Sequence, residues 1–108
     1  MSTPEGKVKD HVKALLSQFK PQLYYHFPVQ NGMGEPTLDC VGSVNGRSFA
    51  IECKALGKSM TPRQEQTALK MRAAGVKVFE IDGSLDGMAQ LRHWLTYWHA
   101  RGTVEEGL

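Results

Sequence analysis

No stretch of this 108-residue sequence approaches the roughly 18 consecutive apolar residues of a membrane-spanning helix, so none is expected. The opening Met1-Ser2-Thr3-Pro4-Glu5 is polar at once, and no secretory signal is expected either. There are only two cysteines, Cys40 and Cys53. They read as reduced core residues of a cytosolic protein, not as a disulfide framework. His11, His26, His93 and His99 are scattered without ligand spacing, so a structural zinc site is not expected. The glycine-containing loop Asn31 to Pro36 lacks the GK[ST] end of a nucleotide-binding loop. No Ser-His-Asp or Cys-His arrangement falls on one site. The charge is nearly balanced, at a net +2, so composition alone gives little sign of a nucleic-acid partner. Repeats, low-complexity tracts and linkers are absent too. What remains is one domain over residues 1–108, 41% hydrophobic and able to bury one core.

The informative stretch is Leu38 to Lys54. Asn45-Gly46 separates two β-rich runs, and this dipeptide suits the two positive-φ positions of a type I′ turn. Counting outward pairs Val44 with Arg47, Ser43 with Ser48, Gly42 with Phe49, Val41 with Ala50, Cys40 with Ile51, and Asp39 with Glu52. Lys54, two residues beyond Glu52, joins the same face. The opposite face carries Leu38, Cys40, Phe49, Ile51 and Cys53. The cysteines are then diagonal neighbours, too far apart for an easy disulfide. Because Val41 and Ala50 share the acidic face, both faces are expected to be covered.

Opposed carboxylates at this spacing repel by about 3–4 kcal/mol at an effective dielectric near 20. Either one is protonated or a cation lies between them, and oxygen ligands suit a hard ion such as Mg²⁺ or Mn²⁺. Lys54 beside such a site can orient a water or offset negative charge on a transferring phosphoryl group. The plainer alternative is a solvated strand face with Glu52 or Asp39 ion-paired to Lys54.

The flanking elements follow from local signals. Thr3-Pro4 starts a helix with the stripe Val8, Val12, Leu15 and Phe19, closed by Lys20-Pro21. Glu5 lies on that stripe, where it favours the helix N-terminus or points at the carboxylate pair. The lysines of this helix read as a solvated surface. Leu23 to Val29 alternates as an edge strand ended by Pro28. Asn31 to Pro36 is a flexible glycine-containing loop that would let a phosphate backbone come close to Asp39. Thr61-Pro62-Arg63-Gln64 is a capping box for a helix to about Ala74, with Gly75 beyond it. Val76 to Asp82 is expected as a central strand, parallel through the crossover. A last helix spans about Asp86 to Arg101. Leu91, Leu95 and Trp98 would face the core, with Trp94 and Tyr97 partly outside, either as an aromatic patch suited to a homodimer interface or packed on the first helix. The tail after Gly102 is expected to fray.

Asp39, a hairpin turn and then Glu52-Cys53-Lys54 resemble the D…(D/E)xK signature of restriction-endonuclease-like nucleases. Gly46 to Ala55, followed by Met60-Thr61-Pro62-Arg63-Gln64 and Ala73-Ala74-Gly75, is similar to one branch, the virus-type replication-repair nuclease (VRR-NUC) domain. The similarity covers roughly Glu5 to Asp82. One departure is Leu38 where many relatives have Pro, which touches the backbone approach to Asp39 and not the carboxylate. The resemblance implies an α/β fold with an αβββαβ core, a central mixed sheet and, here, an additional C-terminal helix. It implies a metal-dependent DNA endonuclease in which Asp39, Glu52 and the Cys53 carbonyl hold one or two Mg²⁺ or Mn²⁺ ions. Lys54 would be catalytic, Gln64 and Glu5 would assist, and Lys58 and Arg63 would contact DNA. It also implies branched DNA such as four-way junctions as substrate, a homodimer, and a phage replication, repair or recombination role in the host cytoplasm. The rival expectation is a non-catalytic DNA-binding module on the same fold.

Overall fold

The computed structural model describes residues 3–103, and the tail beyond Thr103, expected to fray, lies outside them. The order is α1 (Pro4–Ser17), β1 (Leu23–His26), β2 (Cys40–Val44), β3 (Arg47–Cys53), α2 (Pro62–Ala73), β4 (Lys77–Ile81) and α3 (Leu85–Arg101). The fold is α/β, with one mixed four-stranded sheet in the order β1-β2-β3-β4. The first two pairings are antiparallel, and β3 pairs with β4 in parallel across the α2 crossover.

The turn sets this sheet. Asn45 and Gly46 take positive φ, 49° and 88°, as the I′ geometry requires. The counted register holds from Val44↔Arg47 to Cys40↔Ile51. Asn45 does more than turn the chain: its Nδ2 donates to the carbonyls of Trp98 and His99, tying the hairpin to the end of α3. Gly42 is needed for a different reason. A Cβ there would collide with the Tyr24 carbonyl oxygen and lie 2.7 Å from Phe49 Cζ. Gly42→Ala is therefore expected to destabilise the domain by about 1–3 kcal/mol through overpacking. An unchanged thermal midpoint would refute this close packing of β1 on β2.

Helices cover both faces. Val8, Val12, Leu15, Leu16 and Phe19 from the α1 side, with Leu91 and Leu95 of α3, pack on Cys40, Phe49, Ile51 and Cys53. On the other face Ala68 of α2 packs with Leu38, Ala50 and Val78. Thr3 and Ser84 accept from Gly6 N and Gly87 N, capping α1 and α3. None of the described helices is long and apolar enough to cross a membrane.

Three expectations need correction. Leu38 lies on the α2 face and not with Cys40, because the chain bends at Asp39 and the two-residue alternation stops there. β1 ends at His26, short of Val29. β4 is an edge strand, since among the described residues no strand pairs beyond it, and exposed Lys77 and Glu80 keep that edge polar. Trp94 is half-buried, as expected: it meets Phe49 and Phe79 edge-on at centroid distances of 6.0 and 5.7 Å, and its other side is open. Leu91, Trp94, Leu95 and Trp98 form the complete helical stripe. Of the aromatic patch that suggested a homodimer, Trp94 is half-buried and the Tyr97 ring is covered in part by the Arg101 guanidinium at 3.7 Å.

Candidate active site

The backbone around Asp39 and Glu52 explains how two carboxylates come to share one buried spot. The β2–β3 ladder ends at Cys40↔Ile51, so Asp39 and Glu52 are not a ladder pair. Side chains replace the ladder. Asp39 N–H donates to Glu52 Oε1 at 3.2 Å, and Cys53 N–H donates to Asp39 Oδ2 at 2.9 Å. Each carboxylate thus binds backbone of the opposite strand, and the two are locked crosswise. Asp39 is 8% exposed and Glu52 2%.

The second Glu52 oxygen faces α2. Gln64 Nε2 donates to Oε2 at 2.9 Å, and Lys54 Nζ lies 3.5 Å from it. Gln64 keeps its capping role at the same time: its Oε1 accepts from Thr61 N–H, while Thr61 Oγ1 accepts from Gln64 N–H. The capping box therefore aims the Gln64 amide at Glu52. Burial is the main reason that the Glu52 carboxyl is pushed up to about 7, with the Asp39 charge second and Lys54 opposing. Beneath the site, burial and then Asp39 push both the Cys40 and Cys53 thiols up to about 12, so these sulfurs are inert packing.

Two site residues escaped the sequence. Lys9 Nζ lies 3.7 Å from Asp39 Oδ1 and also 3.7 Å from Glu5 Oε2. Gln30 Nε2 is 3.4 Å from Asp39 Oδ1. The Glu5–Lys9 spacing of four was a readable helix pair, but nothing in it pointed to Asp39. Glu5 itself, 42% exposed at its side chain, reaches the pair only through Lys9. Glu80 sits beside Glu52 in the parallel register, yet its carboxylate accepts from Met60 N–H and holds the β3–α2 connection instead.

A groove of about 270 Å³ opens beside the pair, between the 29–37 loop and the start of α2. Gln30 and Gln64, which touch the two carboxylates, both line it, as does Arg63. Lys58 is exposed on the turn after β3 and is not among the groove's lining residues. Gly32 and Gly34 adopt positive φ in open space, so the loop leaves the groove unobstructed there.

Among the described residues no group of three or more His, Cys, Asp or Glu side chains gathers as a metal cage. Cys53 could contribute only its carbonyl, since its thiol is in the core. The two buried carboxylates, set behind Gln30 and Gln64 of the groove, nonetheless fit Mg²⁺, which binds through one or two carboxylates plus water and substrate phosphate. Burial first, and the Asp39 charge second, hold the Glu52 carboxyl raised even with Lys54 alongside. No family model matches the chain, and no curated protein or solved structure is matched by it.

Proposed function

We propose that this protein is a Mg²⁺- or Mn²⁺-dependent nuclease of the restriction-endonuclease-like type, similar to the VRR-NUC branch. The observation that carries the reading is the crosswise-locked pair Asp39–Glu52, buried behind the groove-lining Gln30 and Gln64, with Lys54 Nζ 3.5 Å from Glu52. Like charges brought together out of water cost several kcal/mol unless a compensating charge arrives. The strand order αβββαβ, with α3 added, is compatible with that fold class.

Asp39 and Glu52, with the Cys53 carbonyl, would hold the ion, which when bound supplies Lewis-acid polarisation of a phosphodiester and an activated water. Lys54 would offset charge growing on the phosphoryl group, and Gln64 orients Glu52. Arg63, in the groove wall, and the glycine-containing loop would receive the phosphate backbone, with Lys58 further along the surface. Glu5 acts at one remove, by holding Lys9.

A second reading is a DNA-binding module whose carboxylates are structural. It is favoured by the hydrogen bonds both carboxylates already accept and by the two lysines beside them. Lys9 and Gln30 contact Asp39 only at 3.7 and 3.4 Å, and both are long side chains able to swing aside, which tilts the balance to catalysis. Branched substrates cut by paired copies keep one argument: two strands call for two sites.

A cleavage panel of single-stranded, duplex, nicked, flap and four-way DNA, with Mg²⁺, Mn²⁺ or EDTA, tests the proposal. Cutting that needs either ion is expected. Binding without cutting in both ions would favour the module, and cutting that survives exhaustive EDTA would remove the metal from the mechanism.

A further inference from the structure

An open pocket of about 530 Å³ lies at the far end of α2, and its chemistry differs from that of the carboxylate groove. Arg47, Arg72 and Lys77 line it, together with Trp94 and Trp98. Among the described residues none of the three cations has a carboxylate within ion-pairing distance. The Arg47 guanidinium lies over the Trp98 ring at 3.8 Å, and its Nη1 has no hydrogen-bond partner. Arg72, in the last turn of α2, offsets the negative helix end, but that end carries only about half a charge. Most of three positive charges is left uncompensated beside two indoles.

The pocket is connected to the candidate active site. The carboxylate groove and a second depression along α2 share Glu35, Pro36 and Thr67. That depression and the tryptophan pocket share Val76. Arg63 and Lys70, seven residues apart and so on one side of α2, stand along this track, with Glu35 the opposing charge. From Arg47 to Glu52 is five residues of strand, about 17 Å. That is about five base steps along a duplex axis at roughly 3.4 Å each, and fewer nucleotides of an extended single strand.

We propose that the Arg47–Arg72–Lys77 pocket holds the phosphate backbone of a nucleic-acid strand whose scissile bond lies at Asp39 and Glu52, the two indoles supplying the apolar wall for a sugar or base. Cations interleaved with aromatic rings are what a single strand needs, because phosphates take the charges and bases take the rings. The inference rests on the nuclease reading only for the position of the scissile bond.

Trp94 and Trp98 are the only tryptophans of the chain, so their fluorescence reports this pocket and not the groove. Titration with a single-stranded oligothymidylate in EDTA is expected to quench it, equally in wild type and in Glu52→Gln. Arg72→Gln/Lys77→Gln alters two exposed side chains and should fold normally, as circular dichroism would verify. It is expected to weaken the response roughly tenfold at low salt and to lower the slope of log affinity against log salt by about 1.4, two contacts at about 0.7 each. Arg47→Lys, which keeps charge but not the flat stack, should retain most of the salt slope. Unchanged affinity in the double variant, no quenching in the wild type, or equal quenching by inorganic phosphate at the same concentration would overturn the assignment. Lost fluorescence response with cleavage intact removes the pocket and leaves the nuclease reading; response without cleavage does the reverse.

Discussion

Glu52→Gln, Asp39→Asn and Lys54→Ala are each expected to reduce DNA cleavage about a hundredfold or more, the usual loss when one preorganised charge-stabilising group is removed. The amide variants are the informative ones. Asp39 Oδ2 and Glu52 Oε1 accept from buried backbone N–H groups of Cys53 and Asp39. Truncation to Ala would leave those donors unpaired, at about 1–3 kcal/mol each. The relief of like-charge repulsion opposes that cost, so an Ala variant mixes two effects. Asn and Gln keep an acceptor oxygen while removing the charge. Gln64→Ala should lose less activity, since it frees Glu52 to move without removing it, and should cost about 1 kcal/mol through the broken capping box. Glu5→Gln should fall within a few-fold of wild type, because Glu5 meets Lys9 and not the pair. The readout is the single-turnover cleavage rate beside a thermal melt of each variant. Near-normal cleavage by Glu52→Gln in a folded protein would end the nuclease mechanism.

The hairpin was the most legible part of the sequence, because one dipeptide dictates both turn geometry and register. That inference brought Asp39, Glu52 and Lys54 together correctly in space, yet by the wrong contact. A ladder pair was expected; the strands part after Cys40 and Ile51, and side chains take over the backbone donors. Lys9 was invisible because its partner lies 30 residues away and a helix surface lysine normally ends in water. Gln30 is an exposed loop residue with no periodic signal. The place of β4 at the edge was illegible for a different reason: a β-rich run bounded by turns reads alike at the centre and at the edge of a sheet until its neighbours are known.

The second large effect concerns pH. The Glu52 carboxyl lies at about 7 in the folded protein against 4.5 in its ordinary state, raised first by burial and then by Asp39. Between those values the folded chain holds a proton that the unfolded chain has lost. Stability rises with pH only where the unfolded state binds more protons, so here it falls. The contribution of this group is full below about pH 4.5, is lost as pH rises to about 7, and is flat above. A shift of this size, discounted for screening on the side that opens to the groove, corresponds to about 1–3 kcal/mol. Because other groups titrate as well, the quantity to read is the difference between wild type and Glu52→Gln. Thermal or urea unfolding from pH 5 to pH 8 should show wild type losing stability relative to the amide by that amount. Mg²⁺ requires the ionised carboxylate, so the ion and the proton compete for Glu52. Saturating Mg²⁺ should therefore raise the wild-type midpoint more at pH 8 than at pH 5.5, and raise that of Glu52→Gln little at either. A difference between the two proteins that stays constant across this range would show that Glu52 is ionised throughout, and that Lys54 and Gln64 alone are enough to keep its charge.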